Sequence, residues 1–363
     1  MDPIVLWQHK WSQDLFVPTY LFCGGLAAGL FIVAALADLV SLGVRRFEAL
    51  GRGAALAAVP VLAVAGITLT VHLGKPERGL GFPLFFTNYN SWMTRGGWAL
   101  GSASPLVVAY AALWYFGVWP TLRRVVAVLG LPVLAFLAVY TGLLLSGAGF
   151  VPLWSREHLP RLFLTSGLTT GTAAAGLVSV LAWRWLAPGK PAAAVIRAVG
   201  IALVVLIVLE GYEVRAFLRH LSEGAPDKSA AVTTPSGLFV APSGSRLAHR
   251  YLTGGPGYPA RLLRWGEAAE AAEPGTVAGH PTLAPWFWGG FVGLGLLLPL
   301  ALTVVEWLTA AIASRAADAV AVVKFLAVLG GGFVLRMVVV WGGDLKAPLP
   351  FPPSSWPIPG LGG

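Results

Sequence analysis

Few residues in this chain can do chemistry, and they gather in a few places. The densest is the stretch HLGKPERGLGFPLFFTNYNSWMTRGGW, residues 72–98, which sets His72, Lys75, Arg78, Asn88, Asn90, Arg95 and Trp98 between two apolar runs. Tyr20 precedes it in the first apolar run, and Tyr140 stands deep in a later one, six residues before Ser146. Trp154 and Arg156 follow in the next polar connection. An imidazole titrates near neutral pH, and imidazole and phenol both donate hydrogen bonds to a carbonyl oxygen. A His and two Tyr at one membrane surface therefore suit a lipid-soluble molecule with polar carbonyls. A quinone needs donors at both oxygens, an apolar cleft for its tail and a group that exchanges protons. Taken singly, each residue has a plainer reading: Tyr and Trp populate the interfacial belts of most membrane proteins, and a helix-end His is usually just solvated. The grouping carries the functional reading.

A second set of chemical groups lies inside the apolar runs: Asp38, Glu210, Glu306 and Arg336. Ionisable residues in a bilayer are expensive, and they pair, line a cavity or mark a proton path. Glu210 and Arg336 fall at similar depth in their runs, so a buried ion pair between them is expected. Asp38 and Glu306 fall near run ends, where reaching out to water is the simpler expectation.

Other chemistries lack their residues. The six histidines include only one, His72, within an apolar run, and it sits at the end, so the mid-membrane His pairs of a haem cytochrome are missing. A single cysteine, Cys23, cannot hold an iron–sulfur cluster or an intrachain disulfide. No Walker loop, HExxH or CxxC motif occurs. The expectation is no metal, no haem and no cluster in this chain.

The elements that must position these groups are membrane helices. The chain of 363 residues is 56% hydrophobic and 11% charged, with a mean hydropathy of +0.75, against roughly 25% charge in soluble domains. Eight apolar runs reach the roughly 20 residues that span a bilayer core: 17–43, 54–74, 96–119, 125–147, 163–187, 195–218, 285–311 and 319–342. Barrel-like alternation is absent, so the fold class expected is all-α, with eight transmembrane helices in two four-helix bundles. Gly25 and Gly29, and Gly167 and Gly171, are spaced to put small residues on one helix face for close packing. The opening MDPIVLWQHKWSQD lacks the features of a cleaved signal, so the first span is expected to be retained.

Residues 1–218 hold six spans and the two chemically rich loops, 72–98 and 147–162. Residues 219–284 form a Gly-, Pro- and Ser-rich excursion with a short helix expected near 259–272. Residues 285–342 hold two more spans, and 343–363 form a Pro-rich extended tail. Lys and Arg number ten in the loops on one side and seven on the other, leaving out the excursion. This bias puts both termini and the loop 72–98 outside the cytoplasm. The net charge of +9 sits mainly in loops beside the spans, and is read as a membrane signal, not a nucleic-acid one.

Three stretches resemble the NrfD/polysulfide reductase membrane-subunit family. HLGKPER followed by NYNSWMTRGGW looks like the family loop (D or H)-L-G-(R or K)-P-x-R, then N-P-x-S-P-M-S-x-G-x-W. YTGLLLSGAGFVPLW with LFLTSGLTTG resembles its fourth span, loop and fifth span. LRMVVVWGG resembles its last span, with Arg336 at the matching position. The resemblance runs through all eight spans in order. Tyr89 and Trp92 replace two family prolines, and the 219–284 excursion is long for the family. The resemblance implies a non-covalent menaquinone or ubiquinone site with His72 and Tyr140, and more loosely Tyr20. It also implies a ferredoxin-like iron–sulfur partner subunit and a catalytic subunit, by analogy a molybdenum enzyme. Lys75, Arg78, Asn88, Asn90, Arg95, Trp98, Trp154 and Arg156 would form the rim on which the partner docks. A small-solute or proton transporter is the alternative motivated by the intramembrane charges, though paired span breaks and an inverted repeat are not evident. A passive anchor is the third reading.

Overall fold

The computed structural model describes residues 14–42, 47–72, 88–148, 151–188, 192–223, 231–234, 237–240, 244–254, 276–277, 280–310 and 314–345. Its helices are α1 (Phe16–Val40), α2 (Glu48–His72), α3 (Trp92–Phe116), α4 (Pro120–Ser146), α5 (Leu159–Leu186), α6 (Ala193–Glu223), α7 (Gly244–Thr253), α8 (Pro285–Ala310) and α9 (Ser314–Trp341). All but α7 are long and apolar enough to cross a membrane. Most of the spans begin a few residues before the apolar runs do. Hydropathy marks the greasy centre, whereas the hydrogen-bonded helix continues into the polar interface.

The membrane part is all-α, as expected. Two small antiparallel hairpins occur in the excursion: β1 (Ala231–Thr234) with β2 (Gly237–Val240), and β3 (Thr276–Val277) with β4 (His280–Pro281). Among the described residues of the excursion the helix is α7. Residues 259–272, where one was expected, lie outside the described residues, as do Lys75, Arg78 and the tail from 346 onward.

Helices α1 to α4 pack in a ring, and α5, α6, α8 and α9 form a second group. The two are joined most extensively through α1 and α5. There the paired glycines meet: Gly25 faces Gly167, and Gly29 faces Gly171. A Cβ on Gly29 would overlap the carbonyl of Gly167, and one on Gly171 would overlap the backbone of Gly29. Only glycine permits this approach, which replaces the hydrophobic drive missing between helices in lipid.

Turn chemistry sets the helix ends. α3 stops at Gly117 in the left-handed region, φ 67°, and α4 restarts with Pro120 in its first turn, where the missing N–H costs nothing. The first half of α8, Pro285–Leu297, is π-helical over the glycine-rich run PWFWGGFVGLGLL.

Indole donors tie helix ends together at one end of the molecule. Trp154 Nε1 donates to the Val339 carbonyl at 2.8 Å, Trp341 Nε1 to the Asp14 carbonyl at 3.2 Å, and Trp288 Nε1 to the Thr253 carbonyl at 2.9 Å. Leu247, Ala248, Tyr251 and Leu252 bury one face of α7. The Leu283 amide donates to the Tyr251 carbonyl at 2.8 Å, so the excursion returns directly onto α7 before α8 starts.

Candidate functional site

A cavity of about 300 Å³ opens inside the first ring of helices, at the end where α2 stops and α3 starts. α1 lines it with Tyr20, α2 with His72, α3 with Gly96 and Gly97, α4 with Tyr140 and Thr141, and the loop after α4 with Trp154. The remaining wall is aliphatic, including Leu69, Leu100, Leu137 and Leu144. Its volume lies at the lower end of the roughly 300–1,000 Å³ typical of ligand pockets. His72, Tyr20 and Tyr140, which lie far apart in sequence, thus line one space.

Each chemical group is held by an identifiable device. His72 is the last residue of α2, with Nδ1 at 3.6 Å from Asp14 Oδ2. Asp14 is buried and caps α1: its Oδ1 accepts the amides of Phe16 at 2.8 Å and Val17 at 3.1 Å. One carboxylate thus starts α1 and faces the imidazole. Asp14 was not among the sequence candidates; an acidic residue just before the first span was the only signal.

Tyr140 is buried, and its ring lies across Gly96 so closely that any Cβ there would overlap the phenol. This is the structural content of the TRGGW segment: α3 is bare where α4 presents its tyrosine. Gly142, two residues after Tyr140, likewise lets the start of α5 approach at Leu159 and Pro160. The Tyr20 phenol interacts electrostatically with Tyr140 and Asp14. Phenols with ordinary values near 10 are protonated at neutral pH and act as donors.

The rim candidates sit at the surface around this end. Asn88, Asn90, Arg95 and Arg156 are exposed, and Trp98 is 44% exposed. Asn88 Oδ1 accepts the Asn90 amide at 3.1 Å, and Arg95 donates to the Tyr89 carbonyl at 2.8 Å while lying 4.7 Å above the Trp92 ring. Trp92 is the first residue of α3, a position proline also favours. Its replacement of the family proline therefore leaves the helix start intact, and its ring packs beside Gly147 at the end of α4.

The intramembrane charges depart from expectation. Asp38 and Glu306 do not reach water. Asp38 is fully buried and accepts Arg123 Nε at 2.9 Å and Nη2 at 2.8 Å, with the Tyr110 hydroxyl at 3.3 Å. Glu306 is buried against Lys324, which is itself buried. Short acidic stems cannot snorkel far, and a cation on a neighbouring helix compensates them in place. Glu210 and Arg336 are both buried and electrostatically coupled, but among the described residues they make no direct ion pair. Arg336 instead donates from Nη2 to the Phe163 carbonyl at 3.0 Å and stacks on the Phe163 ring at 3.9 Å, leaving Nε and Nη1 without partners. Ser166 and Thr169 of α5 are the polar side chains facing Glu210.

Glu157, His158 and His220 bring their ligand atoms within 4.8 Å of one another where α5 begins and α6 ends. The His158 and His220 rings stack at 4.6 Å, and Ser155 Oγ lies 3.4 Å from His158 Nδ1. Two imidazoles and a carboxylate are a donor set able to hold a transition metal. The expectation of no metal rested on motif spacing, which cannot see residues 62 positions apart in sequence.

The model for polysulphide reductase, NrfD, matches residues 8–225. The chain belongs to the NrfD family. The matched segment is more than half the chain and contains six spans and every cavity-lining residue. α8, α9 and Arg336 lie beyond it, so the resemblance seen in the last span has no counterpart in that match. NrfD proteins are membrane subunits of oxidoreductase complexes, and the eight apolar helices make this one a multi-pass membrane protein. No curated protein sequence matches the chain.

Proposed function

We propose that this NrfD-family subunit binds menaquinone or ubiquinone non-covalently in the cavity between α1, α2, α3 and α4. It then exchanges electrons with a ferredoxin-like iron–sulfur subunit docked on the same end, and a catalytic subunit, by family analogy a molybdenum enzyme, holds the terminal substrate. The observation that carries this reading is the sharing of one mainly aliphatic cavity by His72, Tyr20 and Tyr140. A bound quinone supplies the electron and proton exchange. Tyr20 and Tyr140 donate hydrogen bonds to its oxygens and fix the ring. His72 exchanges a proton at its imidazole, whose Nδ1 lies 3.6 Å from the Asp14 carboxylate. Exposed Arg95 and Arg156, with Asn88, Asn90, Trp98, Lys75 and Arg78, form the docking rim. Following the charge bias of the loops, the cavity and both termini face outward from the cytoplasmic membrane.

Titration of a quinone analogue into the purified complex tests the reading. Tyr140→Phe should weaken binding up to about tenfold, the equivalent of one hydrogen bond of about 0.5–1.5 kcal/mol. His72→Ala should abolish quinol-linked turnover while leaving the complex assembled. Unchanged binding and turnover in both variants would remove the cavity from the reaction.

A second reading concerns Glu210 and Arg336, and is favoured by the two unpartnered guanidinium nitrogens in the second group of helices. There Glu210 relays protons across the membrane, coupled to the quinone reaction. Glu210→Gln should then abolish proton uptake in vesicles while quinol turnover continues. Loss of neither would leave the pair purely structural.

A further inference from the structure

At the end of the helices opposite the quinone cavity lies a larger one, about 810 Å³, between the ends of α1, α3 and α5 and the starts of α2, α4 and α6. Arg52, Arg123 and Arg124 line it. Arg123 is committed to Asp38. Each of the other two leaves one buried nitrogen without a hydrogen bond. Arg52 Nε is buried without a hydrogen-bond partner, and so is Arg124 Nε, whose nearest carboxylate oxygen, on Asp38, is 3.8 Å away and too far for a hydrogen bond. A buried guanidinium donor without an acceptor is costly, so two such nitrogens on residues lining one cavity point to an anionic ligand.

The backbone adds to this. Three helices start at the cavity: α2 near Glu48, α4 at Pro120 and α6 near Ala194. Each start carries unpaired amides and a partial positive charge. Among the described lining residues the only carboxylate is Glu48, which is exposed. Two guanidiniums lining one cavity beside three helix starts are a donor set that suits phosphate oxygens. The same end carries an aromatic fringe of Tyr115, Phe116, Trp119 and Trp185, each at least 65% exposed. Such a fringe marks the headgroup level of a bilayer.

We propose that this cavity binds a phosphate-bearing anion, namely the headgroup of an anionic glycerophospholipid whose acyl chains lie along the exposed apolar flank. The phosphate accepts from Arg52 and Arg124. The volume leaves room for the glycerol beside it. Trp114 and Trp183 close the wall.

The full-length protein in nanodiscs tests this through the thermal midpoint and the lipids retained in native mass spectrometry. Phosphatidylglycerol or cardiolipin should bind saturably and raise the midpoint, and phosphatidylcholine should not. At about 1 kcal/mol per basic residue near the phosphate, Arg52→Gln and Arg124→Gln should each weaken binding about fivefold. Glu48→Gln should tighten it, a gain that misfolding cannot produce. Equal retention of anionic and zwitterionic lipid, or no effect of any of the three variants, would overturn the proposal. Displacement of the lipid by millimolar inorganic phosphate would overturn the lipid source and assign the site to a soluble phosphate.

Discussion

Asp38 shows how a buried charge is made tolerable. Its carboxylate is enclosed by Arg123, which in turn stacks on Trp114 at 3.5 Å. Removing one partner leaves the other buried and uncompensated, which costs about 3–5 kcal/mol. Asp38→Asn should therefore destabilise the protein severely, and Asp38→Asn with Arg123→Met should recover much of the loss in thermal midpoint. The same cycle on Glu210 and Arg336, which lack a direct ion pair, should show a smaller coupling. His158 offers a pH test at the same scale. Burial first, and then the neighbouring His220, hold its imidazole below the ordinary value of about 6.5, with Arg161 acting in the same sense and Glu157 and Glu213 against it. Below about pH 6.5 the unfolded chain takes up a proton that the folded chain resists. The contribution is thus present above that pH and is lost as pH falls towards the folded value. Thermal midpoints measured from pH 7.5 down to 5.5 should fall less in His158→Gln than in the wild type.

Among the elements, the close contacts of glycine decide more than the apolar faces do. Gly96→Ala would place a methyl on the Tyr140 ring, forcing the phenol or α3 to move. Overpacking of this kind costs about 1–3 kcal/mol. The expected result is a folded protein whose quinone-analogue affinity falls by more than in Tyr140→Phe, since ring position and donor both change. Gly171→Ala, at the α1–α5 crossing and away from the cavity, should lower thermal stability instead. The GLAAG and GLTTG spacings made this crossing legible in the sequence, because small residues four apart state which face is shared. The eight spans were legible from length and apolarity alone. Partners were not: Asp14 beside His72, Arg123 beside Asp38 and Lys324 beside Glu306 are set by which helices neighbour each other, and no local pattern encodes that. Equal depth suggested that Glu210 and Arg336 pair, but depth fixes only one coordinate, and the Phe163 carbonyl and ring take the guanidinium instead.

At the scale of the whole molecule, the cavity belongs to the first ring of helices but its walls are held from the second. Trp154, a wall residue, is anchored by the Val339 carbonyl of α9, and Asp14, which faces His72, accepts the indole N–H of Trp341 from the end of the same helix. α9 lies beyond residue 225, where the family match ends, so the matched segment contains all the cavity's residues but not what positions them. Trp341→Phe keeps an aromatic ring and removes the donor, at about 0.5–1.5 kcal/mol for the lost hydrogen bond. Its expected outcome is a normally assembled helical protein with a weakened quinone-analogue affinity, because Asp14 and hence His72 lose their support. A fragment of residues 1–225 should fail to bind the analogue at all when reconstituted in lipid, and co-expression of residues 226–363 should restore binding. Full affinity in the fragment alone, together with an unaltered Trp341→Phe protein, would show that the first ring of helices shapes the cavity without help from α9.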